Sequence, residues 1–194
     1  MQKATLTKKS MNESLLAGRY AKALLAYAEE VGEAEALYGV MLRVGEAFGA
    51  DRRVGVAVTN PTLPREVRRG VILGLAEPTP PESFGRFVDL VFSHNRERLF
   101  AQMVGSYVRL YRRRRGIVRA CVEFSAQPEE SVLVRLREVL QQKFGGEVEL
   151  DVRVNRGLIG GFLLRVDGRV LDGSVRGAIE RIRNQFITRN RNIV

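Results

Sequence analysis

The feature that most constrains this chain is a change of hydrophobic period at Gly116. Before it, apolar residues recur every three or four positions, the spacing of helices with one buried face. After it, Val118, Ala120, Val122 and Phe124 point one way and Ile117, Arg119, Cys121 and Glu123 the other, which is a strand. A helical pattern does not serve as a strand, so the two parts need different folds. The chain has 194 residues and is 45% hydrophobic, enough for two modest cores. The fold class expected is an all-α bundle of five to six helices over 14–110, then a small α+β domain over 116–190. The boundary falls near 105–116.

In the first part, Ser14 is placed to cap a helix over 14–31, and residues 1–13 are polar and basic and expected to be disordered. A second helix fits 33–49. Residues 51–59 read as a short segment closed by Asn60-Pro61. Pro64 opens a helix to about Ala76, and Pro78-Thr79-Pro80-Pro81 breaks the chain. Phe84, Phe87, Val88, Val91 and Phe92 form the next apolar face, and a long helix runs from about Arg96 to Arg115.

The second part reads β-α-β-β-β-α. Residues 125–130 start a helix with Pro128 and two glutamates in its first turn, and Leu133, Leu136, Leu140 and Phe144 form its buried stripe. Gly145-Gly146 ends it. Val148, Leu150, Val152 and Val154 alternate along a strand, leaving Glu147, Glu149 and Asp151 on a solvated face. Asp167-Gly168 is a two-residue hairpin turn. Ser174 caps a last helix with Val175, Ala178, Ile179, Ile182 and Phe186 on one face.

Composition excludes several classes of function. One cysteine, Cys121, and one histidine, His94, make a disulfide scaffold, a thiolate metal site or a His-based triad untenable as readings. No run of residues approaches the ~20 apolar positions of a spanning helix. Gly157-Leu158-Ile159-Gly160-Gly161 lacks the Gly-Lys-Ser/Thr ending of a phosphate loop and runs into a strand, so its glycines read as structural. No nucleophile pairs with a base, and no catalytic residue, cofactor site or metal site is expected.

Two features point to partners. Lys and Arg number 32 against 22 acids, net +10, and residues 101–194 hold 18 basic and 10 acidic residues, net +8. Such a balance suits an acidic protein surface, nucleic acid or anionic lipid. Arg112-Arg113-Arg114-Arg115 is its densest point, suited to a helix C-terminus or to an acidic partner. The other feature is the first helix, where Leu16, Tyr20, Ala23, Tyr27 and Val31 recur beside Ala17, Ala21, Leu24 and Ala28. So wide an apolar band suits a central core helix, or one with a side left open for a partner. A basic RNA- or DNA-binding protein is the alternative, although no RNP-like, KH-like or helix-turn-helix signature accompanies the charge.

Three stretches carry a resemblance: Arg19-Tyr20-Ala21-Lys22-Ala23-Leu24 with Tyr27-Ala28; Asn60-Pro61 with the 64–76 and 84–98 segments; and Leu158-Ile159-Gly160-Gly161-Phe162 followed by Asp172-Gly173-Ser174-Val175-Arg176-Gly177 and Arg181. Together they resemble the delta subunits of bacterial rotary ATP synthases, counterparts of the mitochondrial oligomycin-sensitivity-conferring protein. Asn155-Arg156-Gly157 departs from the Asp-Pro-Ser-like run usual there. The resemblance implies a non-catalytic stator subunit with partners in the alpha and beta subunits of the head and the b subunits of the stalk. It implies no nucleic acid, and attachment to the cytoplasmic side of the inner membrane only through the complex. The wide apolar band of the first helix, beside the next apolar face, is where alpha-subunit N-termini are then expected to dock: Arg19, Tyr20, Leu24, Tyr27, Ala28, Phe84, Val88 and Val91. The block Leu158, Ile159, Gly160, Gly161, Asp172, Gly173 and Ser174 is then a structural signature, and from the basic balance of the second half Arg112, Arg113, Arg114 and Arg115 are the residues expected to face an acidic stalk.

Overall fold

The structure, a computed structural model, describes residues 2–166, 168–177 and 179, with side chains from residue 11 onward. The chain divides into two compact units, residues 1–114 and 115–194.

The first unit is helical. Helix α1 spans Gln2–Glu30, so it begins well before Ser14 and includes the segment expected to be disordered. The reason is local: residues 2–13 contain no glycine or proline, and Ala4, Leu6, Lys8, Lys9, Met11 and Glu13 are good helix formers. Helix α2 is Ala34–Ala50. The short segment after it is a helix, α3, Arg52–Thr59, because the Asp51 side chain accepts the Arg53 N–H at 2.8 Å and caps it. Helices α4 (Arg65–Gly74) and α5 (Glu82–Ser93) follow, each entered through a proline, Pro64 and Pro81. The long helix expected from Arg96 is a 3-10 turn at Glu97–Leu99 followed by α6, Phe100–Arg115.

Helix α5 has no cap of its own. Glu33, in the turn between α1 and α2, accepts the Ser83 N–H at 2.9 Å and the Glu82 N–H at 3.3 Å. A carboxylate from a distant turn thus satisfies orphan amides at the positive end of α5. The core behind it is dense: Leu37, Met41, Phe84, Phe92, Phe100, Met103 and Tyr107 are almost wholly buried. The Tyr107 hydroxyl donates to the Ala34 carbonyl at 3.2 Å, and burial pushes its phenol pKa up. On α1, Ala17, Ala21 and Ala28 are fully buried, small enough to bring this helix close to its neighbours.

The second unit is a mixed sheet. Strands β1 (Val118–Phe124), β2 (Val148–Val154), β3 (Phe162–Val166) and β4 (Arg169–Asp172) lie in the order β2-β1-β3-β4. β1 and β2 are parallel, with Val122 opposite Val152, and helix α7 (Glu130–Phe144) makes the crossover such a pair requires. β1–β3 and β3–β4 are antiparallel. Ala120, Val122, Leu140, Leu164 and Val166 form the core, with Leu133, Leu136 and Phe144 packed against it. Helix α7 starts at Glu130, after Pro128, so its first turn holds one glutamate. Gly145, at φ 69°, ends it in the left-handed conformation.

The opposite face of the sheet is not simply solvated. Asp151 accepts hydrogen bonds from Arg119 at 2.9 Å and Arg153 at 2.8 Å, and Arg165 lies 3.6 Å from Glu123. Val154, on the same strand face as Val148, Leu150 and Val152, is 45% exposed at the strand's end. Residues 175–177 and 179 are helical after Ser174, with Val175 and Ile179 exposed. Asp167, Ala178, Arg181, Ile182 and Phe186 lie outside the described residues.

Candidate docking groove

The sequence of α1 puts two stripes side by side. Ala17, Ala21, Leu25 and Ala28 turn into the bundle. Leu16, Arg19, Tyr20, Ala23, Leu24 and Tyr27 follow the i, i+3, i+4, i+7 rule on the adjacent face. Ser83, Arg86, Phe87 and Leu90 repeat the rule on α5. Between the two stripes lies a groove of about 610 Å³. Its surface is overwhelmingly apolar, and Leu90 on its rim is 46% exposed.

Both tyrosines are held in place. Arg86 donates to the Tyr27 hydroxyl at 2.7 Å and lies 6.0 Å from the ring centroid. Glu82, four residues back, accepts from Arg86 at 3.0 Å and pushes the guanidinium pKa up. Arg96 donates to the Tyr20 hydroxyl and lies 5.2 Å from its centroid. His94 meets the Tyr20 ring edge-on at 6.4 Å, and its Nδ1 is 2.9 Å from the Leu90 carbonyl oxygen at the end of α5. Tyr27 thus matches the start of α5 and Tyr20 its end, so the two walls run antiparallel.

The sequence-predicted site residues divide cleanly. Arg19, Tyr20, Leu24 and Tyr27 line the groove. Ala28, Phe84, Val88 and Val91 do not; they are fully buried, because their faces turn into the bundle. Leu16, Ala23, Ser83, Arg86, Phe87 and Leu90 line it without having been assigned there. Of the arginine run, Arg112 donates to the Tyr38 hydroxyl at 2.8 Å and sits over that ring, which stacks on Tyr111. Arg114 pairs with Glu29 at 3.2 Å. Arg113 and Arg115 are exposed.

The glycine-rich block is a packing device. Gly160 and Gly161 have φ of 70° and 75°, and a Cβ on Gly161 would stand 2.2 Å from the Gly173 carbonyl oxygen. The Gly161 carbonyl accepts the Ser125 N–H, joining this loop to the end of β1. Opposite, Asp172 accepts the Ser174 N–H at 2.8 Å, and the Ser174 hydroxyl accepts the Gly177 N–H at 3.0 Å, an N-cap three residues into the next helix. Leu158 and Ile159 flank the loop, with Ile159 59% exposed. Among the described residues no group of three potential ligands could hold a metal. No described helix is long and apolar enough to cross a membrane.

The family model for the ATP synthase delta (OSCP) subunit matches residues 16–186, most of both units. The chain belongs to this family. It is 35% identical over 177 residues to the ATP synthase subunit delta of Phocaeicola vulgatus, covering 91% of this chain and 96% of the relative. It is 29% identical to that of Bacteroides fragilis, covering 95% and 100%. Its fold matches a chain in the cryo-EM structure of the Toxoplasma gondii mitochondrial ATP synthase hexamer with a TM-score of 0.68, at 22% identity, covering 89% of this chain and 97% of that one. The chain is therefore a stator subunit of the F-type ATP synthase, a structural and peripheral part of that membrane-bound complex.

Proposed function

We propose that the α1–α5 groove receives an amphipathic helix from the N-terminal segment of an alpha subunit of the catalytic head, and that the α+β unit takes the b subunits of the peripheral stalk. The observation that carries this reading is the groove itself: an apolar trough with antiparallel helical walls and two immobilised tyrosines. Helix-in-groove recognition reads anchors at i, i+3, i+4 and i+7, and rings already fixed in place lose little entropy on binding. A stator link transmits force through such contacts and needs no reactive group. Residues 115–194, the α+β unit itself, hold 14 Lys and Arg against 10 acids, net +4, a balance that favours an acidic stalk end. Contact with alpha and beta subunits of the head, on the cytoplasmic side of the inner membrane, completes the reading.

The test is a titration of the full chain with a fluorescent peptide copying the first ~25 residues of the cognate alpha subunit. Ala23→Asp and Leu90→Asp alter exposed groove residues. Each should weaken binding at least about tenfold, or about 1.4 kcal/mol. Undiminished affinity in both variants rejects the groove. Binding of purified b subunits should weaken as salt rises. A flat response would replace the charged stalk contact with an apolar one.

A further inference from the structure

Two arginines line the groove, and they differ in one respect. Arg86 is satisfied by Glu82 and the Tyr27 hydroxyl. Arg19 is exposed and, among the described residues, has no hydrogen bond or ion pair. Its own helix offers it none. The positions three and four residues away are Leu15, Leu16, Lys22 and Ala23, where an acid would ordinarily sit to pair with an arginine. The nearest acid on α1, Glu13, is six positions off, roughly 9 Å along the axis. Across the groove, the end of α5 presents Leu90 and His94, with Arg96 just beyond and occupied by Tyr20. Arg19 is thus an unneutralised cation beside an apolar floor.

That arrangement has a consequence for whatever docks. An occupant covering Leu16, Tyr20 and Ala23 would strip water from the Arg19 guanidinium. A desolvated charge without a partner is costly, whereas a carboxylate against it forms a charge-assisted pair with two parallel hydrogen bonds. Resting on the docking reading above, we infer that the groove selects an acidic amphipathic helix, one that places a carboxylate against Arg19 beside its apolar stripe. Arg19 is then the residue that sets charge specificity, while Tyr20, Tyr27, Phe87 and Leu90 supply apolar contact. The overall charge of +10 acts in the same direction by steering acidic partners to the surface.

The experiment uses the full chain and three synthetic helical peptides of about 20 residues. All share one leucine–alanine stripe, and the position flanking it is Glu, Gln or Lys. At about 50 mM salt the Glu peptide should bind about fivefold more tightly than the Gln peptide, and the Lys peptide more weakly than both. The preference should shrink toward unity at about 0.5 M salt, where screening reaches a few Å. Arg19→Gln should abolish it, and Arg19→Glu should reverse it in favour of Lys. Because Arg19 is exposed and unpaired, these variants should melt like the parent, which circular dichroism checks. A Glu preference that survives Arg19→Gln overturns the assignment, and so does equal binding of all three peptides to a parent whose binding Leu90→Asp abolishes. If no peptide binds the parent, or Leu90→Asp changes nothing, the docking reading falls and this inference with it.

Discussion

Arg86 reaches across from α5 to the Tyr27 hydroxyl of α1 at 2.7 Å while its guanidinium covers the same ring at 6.0 Å from the centroid. The contact joins two elements 59 residues apart in sequence and sets the orientation of a groove wall. Exposed pairs of this kind contribute little to folding. Arg86→Met should therefore leave the midpoint of chemical denaturation close to the parent's. Its larger effect should be on docking, because the freed Tyr27 ring must be ordered again on binding. Parental affinity for the alpha-subunit peptide after Arg86→Met would show that the ring needs no fixing.

On the sheet, Arg153 first and Arg119 second hold the Asp151 carboxyl below its ordinary pKa. Folding therefore favours the ionised form. The contribution is fully present above the unfolded value of about 4 and is lost as pH falls through the lower folded value. Asp151→Asn should cost on the order of 1 kcal/mol at pH 7, since the side chain is partly exposed and screened. The gap between parent and variant should shrink as pH falls below about 4. Urea melts of both proteins from pH 7 to 2.5 read this directly, and a constant gap across that range would remove the charge from the explanation.

Two glycines make opposite predictions. Gly161 has φ 75° and no room for a Cβ, which would overlap the Gly173 carbonyl oxygen. Gly161→Ala should destabilise the α+β unit by about 2 kcal/mol or more, combining backbone strain with a clash. Gly70 lies inside α4, and nothing stands within 4 Å of the place an alanine methyl would take. Gly70→Ala should stabilise the helical unit by about 0.5–1 kcal/mol. Hydrogen exchange followed in each unit separately distinguishes the two effects.

The change from helices to a sheet was legible in the sequence because it depends on period. Ala120, Val122 and Phe124 face the core through alternation alone, and Ser174 caps because a hydroxyl three residues before Gly177 can do so. Helix α3 was hidden by Val54, Val56, Val58 and Gly55, poor helix formers that Asp51 overrides from the cap. The groove was half visible. Tyr20 and Tyr27 stand out on α1, but α5 carries apolar residues on most of its circumference. Periodicity cannot say that Phe84, Val88 and Val91 turn inward while Leu90 stays at the rim. That choice is made by the crossing of α1 and α5, together with Glu33 at the start of α5, a pairing separated by 50 residues.

The Arg68–Glu97 pair supplies the sharpest stability test. The two groups meet at 3.1 Å with side-chain exposures of 17% and 9%, and Arg68 also lies 5.5 Å from the Phe92 ring centroid. Its Nε is buried without a hydrogen-bond partner, so Glu97 is the carboxylate that compensates the cation. Removing one member of a buried pair costs more than the pair itself contributes, because an uncompensated charge stays behind. Glu97→Ala should lower stability by about 3 kcal/mol, whereas the double change Arg68→Met with Glu97→Leu should recover most of that loss. A double-mutant cycle in urea measures the coupling. If Glu97→Ala costs less than about 1 kcal/mol, water reaches Arg68 and the pair is a surface contact in energetic terms.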